Sequence, residues 1–310
     1  ELNLSSQWGG QVHPPQFALK GGKMDDLHLL PKLRDSLSYL YIEHAVIERD
    51  HTALLALQET GRTTVPIANL CLLLLGPGTS LTHAAVVLLA ENGVSVVWVG
   101  EDGNKLYAQG SGETRRAGHL LRQAVLVSDP DSRLRVVLRM YAYRFGRELE
   151  PELTLEQIRG MEGARMKNAY ADASRRYGVA WSGRSYDRSN WTNADPVNRA
   201  LSAANALLNG LCHAAIVSGG YSPGLGFLHT GLQLSFVYDI ADLYKTQYTI
   251  PAAFKTASEG TDAIEKRTRE TCRELFLEEK LLRKILPDID RILGVDDRDN
   301  YNIVDEDLSL

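Results

Sequence analysis

The chain has 310 residues, which at about 150 residues per domain sets an expectation of two domains. With 44% hydrophobic and 24% charged residues it is neither a disordered nor a fibrous chain. A net charge of −5 excludes a uniformly basic nucleic-acid coat. No run approaches the ~20 apolar residues that span a bilayer; Leu70 to Leu75 is stopped by Gly76-Pro77-Gly78.

Residues 1–23 read as a polar, Gly- and Pro-punctuated extension outside the fold, without the layout of a signal peptide. From Leu37 the pattern is strand-like. Leu40 to Glu43 and Ala45 to Ile47 are short β-rich runs, and Ala53 to Leu57 with Thr63 to Ile67 form a hairpin about Glu59-Thr60-Gly61. Leu70 to Leu75 is the unbroken apolar run expected of a strand covered on both faces. Thr82 is placed to cap a helix over His83 to Glu91, followed by strands at Val94 to Val99 and Lys105 to Gln109.

Past Gly112 the period becomes helical. Arg115 to Val127 and Arg133 to Phe145 are two helices, and Thr154 caps a segment that Gly160 interrupts weakly, continuing as Met161 to Tyr177 up to Gly178. Asp195-Pro196 starts an Ala-rich helix to about Ser218, and Gly219 to Gly231 is a loop with five glycines. Ser235 opens a helix to about Lys245, and Asp262 to Leu286 supplies one or two more. The expected class is α+β: a β-rich, β-sandwich-like domain over 24–105, a larger all-α catalytic domain over 106–293, and an acidic tail over 294–310.

Divided along the chain, the charge is −4 over residues 1–112, +5 over 113–199 and −6 over 200–310. Of the 16 cations in the middle segment, 15 are Arg, the side chain suited to bidentate phosphate contacts, although solvated helix faces also carry such charge. Cys71, Cys212 and Cys272 show no CxxC spacing, so neither a zinc site nor a disulfide framework is suggested, and a cytoplasmic location fits.

The segment His229 to Lys245 carries the strongest chemical signal. Asp239 and Asp242 lie three apart on one helix face inside an otherwise apolar run, and such carboxylates repel unless a cation or a proton intervenes. His229, ten residues earlier in the Gly-rich loop, could fold back towards them; carboxylates and imidazole suit Mg²⁺ or Mn²⁺. The alternative is a solvated or capping Asp239 and a satisfied loop histidine. Gly160 and Gly163 flank Glu162, with Arg159 and Arg165 on either side, which suggests a close approach by a ligand or by another helix. Trp181-Ser182-Gly183-Arg184 leads to Tyr186, a turn suited to stacking on bases or to packing on the helices. His83 and His213, in apolar helical patterns, read as core histidines. There is no P-loop, no dinucleotide-binding glycine pattern after a strand and no G-x-S-x-G elbow.

Taken in order, Pro77-Gly78-Thr79-Ser80-Leu81-Thr82-His83, Val96-Val97-Trp98-Val99-Gly100, Arg159 to Gly163, Trp181 to Asp187, Gly226 to Gly231 and Ser235 to Asp242 resemble the universal CRISPR-associated adaptation integrases, specifically the subtype I-E form. The resemblance spans about Leu29 to Leu293. It implies a metal triad of Glu162, His229 and Asp242 for Mg²⁺ or Mn²⁺, with Asp239 as an additional catalytic acid. It implies DNA contacts at Tyr41, Arg184, Tyr186 and Tyr238, with Arg165 and Lys245 beside the triad as further candidates. It also implies a homodimer within a larger assembly with a small companion adaptation protein, inserting short double-stranded DNA beside the leader of a CRISPR array. A metal-dependent nuclease acting on branched or single-stranded DNA, and an inactive DNA-binding scaffold, are the competing readings. Leu232 and Ser80 stand where related chains carry Lys and Arg, so those two phosphate contacts do not carry over.

Overall fold

The computed structural model describes residues 38–68, 70–100, 106–110, 117–150, 152–184 and 195–295. Tyr186, the extension over 1–23 and most of the acidic tail lie outside the described residues. The chain divides into two compact units, Glu1–Arg116 and Ala117–Leu310.

Among its described residues the N-terminal unit contains two four-stranded sheets. In one, β1 (Ser38–Ile42), β5 (Leu70–Leu75), β7 (Ser95–Val99) and β8 (Leu106–Gly110) lie side by side in that order. The first three are parallel and β8 is antiparallel to β7. In the other, the order is β4 (Gly61–Pro66), β3 (Ala53–Gln58), β2 (Val46–Asp50), β6 (Ser80–Leu81). Leu72 to Leu75 are all buried, as an unbroken apolar run requires, whereas β3 buries only Leu54 and Ala56, two residues apart. Of these, Leu54, Ala56, Leu73 and Leu75 share one core with Ile42, Ile47, Val65 and Val96, closed by Ala85, Leu88 and Leu89 of α1 (His83–Glu91). Thr82 caps α1 as expected, its hydroxyl accepting from Ala85 N–H. Gln58 pairs with Gly61, which makes Glu59-Thr60 a two-residue hairpin loop. Gly76 is needed next to β1: a Cβ there would lie 2.3 Å from the Tyr41 hydroxyl.

The domain boundary expected at 105/106 moves. β8 completes the first sheet by pairing with β7, so it belongs to the N-terminal unit, and the division falls after Arg116.

The second unit is helical. After α2 (Gly118–Ser128), α3 (Pro130–Phe145) starts three residues earlier than expected because Asp129 caps it, with Pro130 in the first turn and Gly146 in a left-handed conformation at its end. Helix α4 (Leu155–Tyr177) opens on a complete Thr154–Gln157 capping box and runs through Gly160 without a break. Around the central α5 (Pro196–Ser218) pack α6 (Ser235–Ala241), α7 (Thr249–Ser258), α8 (Ile264–Glu278) and α9 (Leu281–Leu293). By length and composition α5 could cross a membrane, contrary to the reading of the sequence, but 72% of its apolar window is buried among the other helices. It is a core helix.

Two further expectations fail. The helix from Ser235 stops at Ala241, after which the chain tightens into i→i−3 turns at Leu243, Tyr244 and Gln247 and then forms α7, which periodicity did not reveal. Of the two expected core histidines, His213 is buried in α5, but His83 opens α1 on an exposed face.

Candidate metal and DNA-processing site

The Gly-rich loop between α5 and α6 is clamped from several directions. The Gln123 side chain, fully buried, donates to Ser222 and Leu225 carbonyls and accepts from Ser222 N–H. Arg133 donates twice to the Phe227 carbonyl, at 3.0 and 2.8 Å. Gly226 lets the loop fold tightly; a Cβ there would meet the His229 carbonyl at 2.3 Å and Ser235 Cβ at 2.7 Å.

Asp239 closes the clamp from α6. Its side chain is fully buried. One oxygen accepts from Phe227 and Leu228 N–H at 2.6 and 3.0 Å, and the other from His229 N–H and Nδ1 at 2.9 and 2.7 Å. With Nδ1–H given to the carboxylate, Nε2 of the half-exposed imidazole keeps its lone pair for a ligand. The Asp239 hydrogen bond holds His229 above the ordinary imidazole pKa; burial opposes this, Asp242 adds to it and Lys245 subtracts. In this structure Asp239 thus holds His229 and its loop, with both oxygens committed. The Tyr238 ring stands edge-on to His229, 5.9 Å between centroids.

Glu162, on α4, and Asp242, at the end of α6, both reach the guanidinium of Arg144. The guanidinium of Arg144, only 5% exposed, reaches Glu162 Oε1 with Nη1 at 3.4 Å and Asp242 Oδ2 with Nη2 at 3.5 Å. Arg165 donates from Nε and Nη2 to Glu162 at 2.7 and 3.0 Å, and from Nη1 to Thr246 Oγ1 at 3.0 Å. Lys245 lies 2.6 Å from Asp242 Oδ1. Asp239 and Asp242 thus avoid mutual repulsion by taking different partners, backbone amides for one and cations for the other.

These contacts bear on a metal site. Glu162, Asp242 and His229 are the hard oxygen and imidazole donors that Mg²⁺ and Mn²⁺ accept, and the two carboxylates already converge on a shared cation. Among the described residues, however, no three His, Cys, Asp or Glu side chains stand close enough together to hold an ion, and Arg144, Arg165 and Lys245 pair with the carboxylates of Glu162 and Asp242. The donor set fits in kind.

Other expected DNA contacts are more dispersed. Arg184 is exposed but bonds the Asn198 carbonyl and side chain at 3.1 and 3.2 Å and Ser202 Oγ at 3.1 Å, which ties its loop to the start of α5. Trp181 stacks on Tyr170 at 4.7 Å, so the packing alternative describes that ring. Tyr41 is buried in the N-terminal unit with its hydroxyl on Glu43 at 2.5 Å; stacking on a duplex end requires the ring to leave Gly76. At Gly160 and Gly163 a Cβ would meet nothing within 4 Å, which removes the helix-contact explanation among the described residues and leaves that face of α4 open beside Glu162. Gln123, Arg133 and Arg144 were not singled out in the sequence. Nothing local distinguishes them, since their partners lie up to 102, 94 and 98 positions away.

Comparison with known proteins bears on this arrangement directly. The profile of the family described as "CRISPR associated protein Cas1" matches residues 38–146 and 141–291. The "CRISPR-associated endonuclease Cas1 2" of Thermus thermophilus is 56% identical over 264 residues, covering 85% of this chain and 81% of the relative. The "CRISPR-associated endonuclease Cas1" of Escherichia coli is 40% identical over 263 residues, covering 84% and 86%. A crystal structure of a TtCas1–DNA complex superposes with a TM-score of 0.77 at 55% identity, covering 85% of this chain and 99% of that one. With the β-rich and helical units in the same order and the family profile spanning both, this chain belongs to the Cas1 family of CRISPR-associated endonucleases.

Proposed function

We propose that this chain is the metal-dependent integrase of CRISPR adaptation, of the subtype I-E form. On this reading it works as a homodimer with a small companion adaptation protein, in the cytoplasm. The observation that carries the reading is the convergence of Glu162 and Asp242, from two separate elements, on one buried cation, with the His229 imidazole preset by Asp239. The solved relative with DNA bound supports DNA as the partner, taken here as double-stranded, and the Arg-rich middle segment supplies cations for its phosphates.

The reaction proposed is a transesterification. The 3′-hydroxyl of a captured strand attacks a repeat phosphodiester; a new P–O bond forms, the old one breaks, and the proton ends on the departing 3′-oxygen. One bond replaces a like bond, so no nucleotide energy source is needed. Glu162, His229 and Asp242 would hold a divalent ion, whose contribution would be Lewis-acid stabilisation of charge at the phosphate. The chain's own contribution is placement. Asp239 fixes the imidazole, Arg133 and Gln123 fix the loop that bears it, and Arg165 and Lys245 hold the carboxylates of Glu162 and Asp242.

The second reading, a nuclease that hydrolyses branched DNA, uses the same groups with water as nucleophile. Incubating the protein with a branched DNA and Mn²⁺ separates the two: a religated strand shows transesterification, and shortened strands alone show hydrolysis. Asp242→Ala is expected to abolish both reactions while duplex binding survives. Full activity in that variant would remove Asp242 from the site.

A further inference from the structure

Arg144 comes from the last turn of α3, an element that carries none of the three proposed ligands. Its side chain is 5% exposed, its Nε is buried without a hydrogen-bond partner among the described residues, and its guanidinium carbon lies 5.6 Å from the centre of the buried Tyr141 ring. A buried guanidinium persists only where charge compensates it. Here that compensation comes from Glu162 and Asp242, one on each Nη. Both contacts, at 3.4 and 3.5 Å, are longer than the usual charge-assisted bond, so Arg144 neutralises the pair without locking either carboxylate. Arg165 and Lys245, at 21% and 25% exposure, have a path outwards. Arg144, held beneath the site, does not.

We propose that Arg144 is the built-in counter-cation of this site: it holds Glu162 and Asp242 together when no metal is bound, and it competes with a divalent ion for the same two oxygens. This rests on the metal reading above. It makes Arg144 a positioning residue with two opposed effects. It keeps two like charges from two elements side by side in advance of the ion, and its own charge, a few ångströms away, weakens the hold on that ion once it arrives.

The test is Mn²⁺ binding to the full chain, read from the electron paramagnetic resonance of free Mn²⁺, with Asp242→Asn as the reference that lacks the site. Arg144→Gln is expected to bind Mn²⁺ at least about tenfold more tightly than the wild type, a modest return for removing a unit charge at this range. Arg144→Lys, which keeps the charge, is expected to stay within about twofold of the wild type. Unchanged or weaker binding in Arg144→Gln, or tightening in Arg144→Lys as large as in Arg144→Gln, overturns the proposal while the metal reading stands. Wild-type binding that Asp242→Asn does not reduce overturns the metal reading itself. Should Arg144→Gln fail to fold, the wild-type chain still decides the matter. The Arg144 Nε–H resonance is expected to shift in step with Mg²⁺ titration, and a resonance unmoved at saturation refutes the competition.

Discussion

One carboxylate oxygen of Asp239 accepts both the backbone N–H and the ring Nδ1–H of His229, at 2.9 and 2.7 Å. That double contact decides where the imidazole sits and which nitrogen faces outwards. Asp239→Ala strips four donors of their acceptor inside the protein and is expected to lower stability by about 3 kcal/mol. It should also speed amide exchange at Phe227 to His229 and bring the His229 pKa down towards its ordinary value, so that the ring loses its second proton at lower pH. Chemical denaturation, hydrogen exchange and NMR titration check the three parts. Unchanged exchange in the loop would show that Gln123 and Arg133 suffice to hold it.

Gly160 and Gly163 lie inside α4 with open space where a Cβ would go. Each glycine costs the helix about 0.5–1 kcal/mol relative to alanine. Gly160→Ala and Gly163→Ala are therefore expected to raise the unfolding free energy by about that amount each. The same substitutions narrow the face beside Glu162, so strand transfer is expected to fall as stability rises. Stabilised variants with undiminished strand transfer would show that DNA does not use this face.

His213 is buried in α5 and burial pushes its pKa down to about 4. The unfolded chain takes up this proton at the ordinary value near 6.5, well before the folded chain does. Above that pH both states are neutral and the group contributes no slope. Between there and about pH 4 the unfolded state binds the extra proton, so stability falls as pH falls, by at most about 3 kcal/mol in total. Denaturation midpoints of the wild type and His213→Leu between pH 7 and 5 test this: the variant should lose less stability over that interval.

Much of the fold is written in local chemistry. Thr82 and Thr154 mark helix starts through their own hydroxyls, Pro196 through its fixed φ, and Gly146 and Gly178 mark ends through a left-handed turn. The buried run of β5 needs no partner to be recognised. Within the site, Glu162, His229, Asp239 and Asp242 are visible because charge interrupts apolar or glycine-rich sequence. Arg144 is not, because an arginine at a helix C-terminus among 34 cations looks like any surface charge until the fold brings Asp242 to it from 98 positions away. Helix α7 escaped for a related reason: the turns from Asp242 to Tyr248 reset the phase of the apolar pattern, and the Tyr244 side chain is drawn inwards by Asp288.

Asp288, in α9, takes the hydroxyls of Tyr143 and Tyr244 on one oxygen, at 2.7 and 2.8 Å. Those tyrosines sit one residue before Arg144 and two after Asp242. Two strangers in sequence therefore hang from a single peg, and the peg belongs to the last helix described. For anyone dissecting the helical unit, the consequence is a hard limit on trimming. A fragment cut ahead of Leu281 loses the point from which both are suspended, while a fusion joined beyond Gly294 leaves it in place.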